Sequence, residues 1–393
     1  MAPMLALAHG LRAAGRPVRL VTYASGVALA AAHGLAAEVV PGDPAPLFER
    51  AALRRALVDV ASHATVRYWL AARAELALTL DALPALLRGA ALVVVGLAGL
   101  WADQVADACG LPCVRALLQP LGPTRAFAAP LMPFDALDAP ALRRHSHRLA
   151  AHALWWPWAA TIQRWRRRHG LRGAVAADWW QRALRRQAPL VYAHSPTLLA
   201  RPPDWPAAAQ VTGAWHLPAD TAAAPPSWPP GSPRVAVGFG SMARHLARGH
   251  VTALLAALLA RGASVIAQGA PLPTPPGVRW LGAAPHAWLF AAADVVVHHG
   301  GAGTTHAAAR AGVPMVIAPV AVDQRFWGRR AMALGVAAPP RPLASLAAAD
   351  ALAAAAVALA SDRAARQRAV ALAGQIAAED GVALAVARII AHG

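Results

Sequence analysis

The chain has 393 residues, enough for two domains of ordinary size, and 57% of its residues are hydrophobic, which is enough to fill two cores. A formal net charge of +18 would suit a nucleic-acid-binding protein. We exclude that class because the sequence contains no lysine and no asparagine, its arginines are mostly dispersed, and no nucleic-acid-binding motif accompanies them, so the charge reflects codon supply in a GC-rich genome.

The first half of the chain alternates helical and strand patterns, which is typical of a parallel α/β domain. Residues 5–14 have a helical pattern, and so do residues 101–109. Runs of β-branched and apolar residues predict strands at residues 18–23, 39–40, 92–95, 112–116 and 190–193. We assign residues 1–205 to this first domain, with the strand at 190–193 as its last.

The two cysteines, Cys109 and Cys113, have no metal-type partners nearby in the sequence. Cys113 lies in a predicted strand and Cys109 just before it, so we interpret both as small apolar core residues in a reducing compartment. The N-terminus lacks a signal-peptide pattern, and no uninterrupted apolar run reaches the roughly 20 residues of a membrane span. We therefore expect a cytoplasmic protein.

An aromatic and basic segment, Leu149–His169, combines Trp155-Trp-Pro-Trp158 with arginines at 164 and 166–168. Tryptophans beside an arginine cluster favour a contact with a membrane surface or a lipid acceptor. The alternative is a pair of helices that pack on the first domain and expose an arginine face. Peripheral association with the inner membrane surface therefore stands as an alternative to a purely cytoplasmic location.

Prolines cluster from residue 202 to residue 233, and a run such as Pro225-Pro-Ser-Trp-Pro-Pro230 lacks the backbone donors of regular structure. We predict a stiff, extended linker over residues 206–233. Beyond it, strands predicted at 235–239, 265–268 and 278–281 open a second parallel sheet, in a domain that covers residues 234–375.

The second domain contains a glycine-rich stretch, Gly300–Gly303, directly after the strand Val295–Val297. Glycines let the backbone turn tightly and approach a ligand, and a helix should begin near Thr304 and Thr305. Strand, turn and helix N-terminus together predict an anion site, because unpaired amides and the helix dipole point at one place. His299 and the two threonine hydroxyls can add hydrogen bonds to a diphosphate.

Two further pairs of residues belong to the same edge of the predicted sheet. Gly240-Ser241 follows the strand at 235–239, and Asp323-Gln324 follows a strand at 315–317. Ligands of open α/β sheets bind at the carboxyl ends of the strands. A carboxylate beside an amide suits sugar hydroxyls, which both donate and accept hydrogen bonds. His298, in contrast, is interpreted as a packed residue at the strand end.

This combined pattern resembles the donor-binding signature of the UDP-glycosyltransferase superfamily. His299-Gly-Gly-Ala-Gly-Thr304, Gly312-Val-Pro314, Pro319 and Asp323-Gln324 stand in its order and spacing. The resemblance implies a GT-B fold: two facing Rossmann-like, doubly wound α/β domains, and a last helix, residues 376–393, that crosses back to the first domain. It implies a donor site formed by Gly240, Ser241, Pro285, His286, His299, Gly300, Gly301, Ala302, Gly303, Thr304, Asp323 and Gln324.

In that site, Pro285 and His286 would hold the nucleotide base. Ala283 and Ala307 stand where many members have a tryptophan and a glutamate, so the identity of the base stays open. The resemblance begins only at the family's first helix. It implies that the first strand of the first domain is missing, and that the histidine or aspartate base in the following loop would lie before Met1. A start site placed too late would explain this, and a non-catalytic copy is the alternative.

The function that the resemblance implies is a glycosyltransferase. It would move a hexose from a nucleotide-diphosphate sugar, of the UDP-glucose type, to a hydroxyl of an apolar acceptor such as a sterol, lipid or polyketide, with inversion and without a metal or cofactor. One alternative is a silent homologue that binds sugar nucleotide or partners another transferase. A sugar-nucleotide epimerase is disfavoured, because it has no use for an apolar acceptor domain.

Overall fold

The computed structural model of the chain describes residues 1–49, 63–131, 137–171, 179–217, 224–269, 274–282, 284–321 and 323–392. The chain forms two compact units. The first consists of Met1–His194, Arg201–Leu217 and Asp380–Gly393, and the second of Ser195–Ala200 and Pro218–Glu379. Each unit is an α/β structure built on parallel strands.

Among the described residues, the first unit has six short strands and, apart from the C-terminal helix described below, seven α-helices. Its strands are β1 (Leu20–Thr22), β2 (Ala37–Val39), β3 (Val93–Val95), β4 (Cys113–Leu117), β5 (Leu190–Tyr192) and β6 (Ala209–Val211). Its helices are α1 (Ala2–Ala13), α2 (Ala24–Ala32), α3 (His63–Leu86), α4 (Ala102–Ala108), α5 (Pro140–Trp155), α6 (Ala159–Arg168) and α7 (Trp179–Arg185).

These strands form two separate parallel sheets, β1-β2 and β3-β4-β5-β6. Within the described residues, β1 pairs only with β2, and the outer edge of β3 pairs with no strand. The sheet of this unit is therefore interrupted between β1 and β3. This is the place at which the family resemblance expects a further strand, because the first strand of a doubly wound sheet lies centrally.

Strand β6 corrects two of the sequence predictions. Ala209–Val211 pairs in parallel with Leu190–Tyr192, so β5 is not the last strand of the first unit and residues 206–217 are not linker. The prolines that flank this segment suit its position, because β6 lies at the edge of the sheet, where a missing backbone donor costs little. Of the predicted linker, residues 218–223 lie outside the described residues.

The cysteine prediction was wrong for Cys109. This residue ends helix α4 as its C-cap and is exposed, because the last turn of a short helix points its C-cap residue to solvent. Cys113 begins β4 and is largely inaccessible, and burial raises the pKa of its thiol to about 12. Cys113 is therefore an unreactive thiol, as an apolar packing residue should be.

The predicted tryptophan–arginine segment is mostly packed. Trp155 and Trp165 are buried in the core of the first unit, and Trp156 is exposed. Arg166, on α6, is also buried and donates to the Gln104 side chain at 2.9 Å. The helix-packing alternative thus describes most of this segment.

A buried ionic network joins α4 to β4 and α7. Asp103 forms ion pairs with Arg115 and with Arg182, and both Asp103 and Arg115 are about 5% exposed. Burial is the main cause that lowers the pKa of Arg115, to about 9. The guanidinium is still charged at neutral pH, so the carboxylate of Asp103 compensates a charge that would be costly alone.

The second unit is a five-stranded parallel sheet in the order β11-β10-β7-β8-β9. The strands are β7 (Arg234–Gly238), β8 (Ser264–Gln268), β9 (Val278–Leu281), β10 (Val295–His298) and β11 (Met315–Ile317). The helices are α8 (Arg248–Ala260), α9 (His286–Ala291), α10 (Ala302–Arg310), α11 (Gln324–Ala333), α12 (Leu346–Ser361) and α13 (Arg363–Ala377).

Strand β7 shows why this sheet is covered on both faces. Val235 and Val237 pack with residues of α8 and α12 in one cluster, and Ala236 packs with residues of α10 and α13 in the other. Alternate side chains of a strand point to opposite faces, so the continuous apolar sequence of β7 serves two cores. This arrangement is a doubly wound fold, as predicted.

The chain ends with α14 (Gly381–Ile390), which belongs to the first unit and packs on α1. Asp380 begins this helix by accepting the Ala383 backbone N–H at 3.0 Å. By length and composition alone, the stretch Arg363–Ile390 is apolar enough to cross a membrane. In the structure this stretch forms two separate helices. Helix α13 packs in the second unit and α14 in the first.

Candidate donor site in the second unit

The candidate site lies where β7 and β10 end side by side. The two strands are parallel, with Gly238 opposite His298, so the residues that follow each strand emerge at the same edge of the sheet. After β7 the backbone turns at Gly240, which has a φ of +51° and begins a 3-10 helix, Gly240–His245. Ser241 lies in this helix, and its side chain is outside the described residues.

The turn after β10 requires a glycine at its first position. Gly300 has a φ of +86°, and a Cβ there would lie 2.6 Å from the Cγ2 atom of Ile317 and 2.8 Å from the carbonyl oxygen of Gln324. The Gly300 N–H donates to Nδ1 of His298 at 3.0 Å. His298 is fully buried, and burial holds its pKa well below the ordinary value, so its ring remains a neutral acceptor. His298 thus fixes the turn, which goes beyond the packing role predicted from sequence.

Helix α10 begins at this turn without a side-chain cap. Gly301 is its N-cap, and no side chain accepts a hydrogen bond from the first turn. The first N–H groups of a helix lack partners within the helix and carry the positive end of its dipole. The hydroxyl of Thr305 is not one of the donors, contrary to our expectation, because it is buried and donates to the carbonyl oxygen of Gly301 at 3.0 Å. Thr304 is half-buried one residue earlier.

The ring of His299 lies over this helix N-terminus. A Cβ on Gly301 would approach its Nε2 to 2.5 Å, and a Cβ on Gly240 would come within 3.7 Å of its Cε1. Gly301 therefore makes room for the imidazole, while a side chain on Gly240 would be in ordinary contact with it. The Nδ1 atom of His299 is buried without a hydrogen-bond partner among the described residues.

Burial is the largest cause that lowers the pKa of His299 to about 4, and a neighbouring His286 acts in the same direction. A backbone hydrogen bond with Gly238 raises the pKa of His299, but by less than these two effects lower it. The imidazole is consequently neutral at physiological pH. It can act as a hydrogen-bonding group, not as a fixed positive charge.

Pro285 and His286 lie at the start of α9, which follows β9. Pro285 is the N-cap of this helix and is exposed, while His286 is half-buried and its ring stacks on Phe290 with centroids 4.9 Å apart. Burial lowers the pKa of His286, so it too is neutral. Ala283 lies outside the described residues.

Asp323 and Gln324 are buried at the start of α11. The Gln324 side-chain oxygen accepts the backbone N–H groups of Val320 and Ala321, at 2.7 and 3.1 Å. One carboxylate oxygen of Asp323 accepts the indole N–H of Trp327 at 2.9 Å. Both side chains therefore stabilise their own loop. A role on sugar hydroxyls remains a prediction that would use the other Asp323 oxygen and the Gln324 amide nitrogen.

Two residues that the sequence did not single out support this region. Trp327 is fully buried beneath Asp323, and the ring of His306 meets it edge-on with centroids 4.9 Å apart. His306 is buried on α10, with its Nδ1 2.6 Å from the carbonyl oxygen of Ala302, and burial is the main cause that lowers its pKa to about 4. The sequence signal for His306 is limited to its position as a polar residue on the buried face of α10.

Comparison with known proteins indicates the family of the chain. Residues 263–391 match the family described as "Erythromycin biosynthesis protein CIII-like, C-terminal domain". The chain is 30% identical over 361 residues to a sterol 3-beta-glucosyltransferase of Aspergillus oryzae, and 29% identical over 373 residues to one of Penicillium rubens. These matches support membership of the UDP-glycosyltransferase superfamily. These alignments cover 85% of this chain but 25% and 26% of the fungal proteins, so the chain spans about a quarter of their length.

Solved structures show the same fold. A glycosyltransferase of kitacinnamycin has a TM-score of 0.70 at 21% identity, covering 100% of this chain and 95% of its own. A spinosyn rhamnosyltransferase complexed with thymidine diphosphate has a TM-score of 0.65 at 19% identity, covering 99% and 96%. The predicted GT-B class is therefore confirmed.

Proposed function

We propose that the chain is a glycosyltransferase that moves a hexose from a nucleotide-diphosphate sugar to a hydroxyl of an apolar acceptor, a sterol, lipid or polyketide. The observation that carries the proposal is the N-terminus of α10, with a glycine as its N-cap, beneath the ring of His299, whose Nε2 would lie 2.5 Å from a Cβ on Gly301. A neutral imidazole and a set of free amides suit a group that gains negative charge as it leaves. The fungal sterol 3-beta-glucosyltransferases and the rhamnosyltransferase with bound thymidine diphosphate support the same chemistry.

In this proposal the diphosphate lies on the first turn of α10, and His299 donates one hydrogen bond to it. The donors are held before the reaction, so they stabilise the developing charge without rearranging. Gly301 leaves space for the ring above the first turn of α10, because a side chain there would collide with the imidazole. Asp323 and Gln324 would bind the hexose hydroxyls.

The acceptor oxygen forms a bond to the anomeric carbon and gives up its proton to water. The bond from that carbon to the diphosphate oxygen breaks with inversion, and the nucleoside diphosphate leaves with the electron pair. Whether the nucleoside is uridine or thymidine is decided by the groups at Pro285 and His286. The uridine form with glucose is our proposal, on the strength of the sterol glucosyltransferase relatives.

The test is calorimetry with UDP and with TDP, followed by transfer assays from UDP-glucose to a sterol. His299→Ala should weaken binding of the diphosphate and slow transfer, by about 2.7–4 kcal/mol for the loss of one preorganised donor in a transition state. His33→Ala is the matched control, because His33 is the C-cap of α2 in the other unit.

Unchanged UDP and TDP affinity in His299→Ala would show that the turn after β10 is not the phosphate site. Binding of nucleotide without any transfer would favour the alternative of a silent, sugar-nucleotide-binding homologue.

A further inference from the structure

Helix α5 of the first unit exposes a stripe of large apolar side chains. Leu142, Leu149 and Trp156 are 53%, 53% and 70% exposed. They are seven residues apart, so they lie on one face of the helix, along about 21 Å at 1.5 Å per residue. We call these three residues the α5 stripe.

Polar contacts anchor α5 on its buried side, which runs beside the stripe and includes His147 and Ser146. The ring of His147 lies within hydrogen-bonding distance of the carbonyl oxygens of Leu121 and Phe127, at 3.3 and 3.0 Å. Ser146 accepts the backbone N–H of Ala129 at 2.9 Å. The stripe is therefore a fixed outward feature of the fold, and the T-shaped contact of Trp156 with Trp69, at 6.3 Å, extends it towards α3.

The sequence around the stripe is basic. From residue 139 to residue 177 the sequence has eight arginines and no aspartate or glutamate. Arg148 on α5 and Arg167 on α6 are exposed, and neither forms an ion pair with any described residue. An exposed apolar stripe with Leu and Trp beside unpaired arginines is the composition of a helix that lies in the interface of an anionic bilayer.

We propose that the α5 stripe docks this unit on an anionic lipid surface, with Leu142, Leu149 and Trp156 inserted between the lipid headgroups and the arginines on the phosphates. A second copy of the chain fits this face poorly. A two-fold pairing would place each Arg148 near its own equivalent, in a chain with a formal charge of +18. The two copies would then repel each other.

The proposal is independent of the donor site and is tested with the full chain and lipid vesicles. Wild type should co-sediment with vesicles that contain phosphatidylglycerol and only weakly with pure phosphatidylcholine. The combined variant Leu142→Ser, Leu149→Ser and Trp156→Ser should lose at least about tenfold in partitioning, since it removes the apolar part of the interaction. Its thermal unfolding should stay that of wild type, because all three side chains are exposed.

The matched control removes three exposed apolar side chains elsewhere, Leu346, Val370 and Leu384, each replaced by serine. It should bind vesicles like wild type. A second pair of variants separates charge from insertion. Arg148→Glu with Arg167→Glu should weaken binding to the anionic vesicles, and Arg16→Glu with Arg363→Glu, also exposed, should weaken it less.

Three results would overturn the proposal. The serine variant could bind anionic vesicles as tightly as wild type, which would reduce the effect to net charge. Light scattering could show a wild-type dimer that the serine variant dissociates, which would make the stripe a self-association surface. Tight binding of duplex DNA that the serine variant abolishes would make it a nucleic-acid surface.

Discussion

Replacing Gly300 with alanine should destabilise the turn that forms the candidate donor site. A non-glycine residue at a φ of +86° costs about 1–2 kcal/mol. The new Cβ would lie 2.6 Å from Ile317 Cγ2 and 2.8 Å from a backbone oxygen of Gln324. The oxygen belongs to the backbone and cannot rotate away, so the overlap adds about 1–3 kcal/mol. The expected loss of stability is the sum, about 2–5 kcal/mol.

The matched control is Gly303→Ala, three residues along the same segment. A Cβ on Gly303 would meet no atom within 4 Å, and this glycine lies inside α10. Alanine favours the helix over glycine by up to about 1 kcal/mol. Gly303→Ala should therefore be as stable as wild type or slightly more stable. A fall in its nucleotide affinity at unchanged stability would indicate that the diphosphate approaches this backbone closely.

Hydrogen exchange followed by mass spectrometry is the suitable assay, because the two compact units need not unfold together and a single melting curve would mix them. Peptides that span β10 and α10 should exchange faster in Gly300→Ala, and peptides of the first unit should not. Equal protection of β10 and α10 in Gly300→Ala and wild type would refute this account of the turn, and so would an equal loss in both variants.

Three further predictions concern buried polar groups. The pKa of His306 is about 4 in the folded protein, against an ordinary value of 6.5. As the pH falls from 6.5 to 4 the unfolded chain takes up a proton first, so the stability of the second unit should decrease over this range. His306→Leu should flatten that dependence in hydrogen exchange measured at several pH values. Trp327→Phe leaves the buried Asp323 carboxylate without one donor and should cost about 1–3 kcal/mol in the exchange of α11 peptides; unchanged protection would contradict it. Asp103→Asn breaks a buried pairing with two arginines and should cost about 3–5 kcal/mol, while the exposed pair of Asp81 should be worth under about 1 kcal/mol when Asp81→Asn is measured alongside.

The sequence determined the α/β type of each domain and the glycine turn at which we place the candidate site. Val295–Val297 followed by glycines predicts a buried parallel strand and a sharp turn, because both signals are local and arise from backbone sterics and β-branched side chains. The family resemblance also placed a further, central strand between β1 and β3, because the first strand of this doubly wound order lies in the middle of the sheet.

Tertiary packing decided what the sequence pattern left open. The proline-rich segment could not reveal β6, because strand pairing with β5 depends on a partner about twenty residues away and not on local propensity. The same reason explains Thr305 and Asp323, whose hydroxyl and carboxylate bind groups of their own turns, Gly301 and Trp327. The sequence of a motif does not show which group a polar side chain will hydrogen-bond once it is buried. Only the fold supplies that neighbour, and only the fold exposes the α5 stripe while it buries the tryptophans next to it.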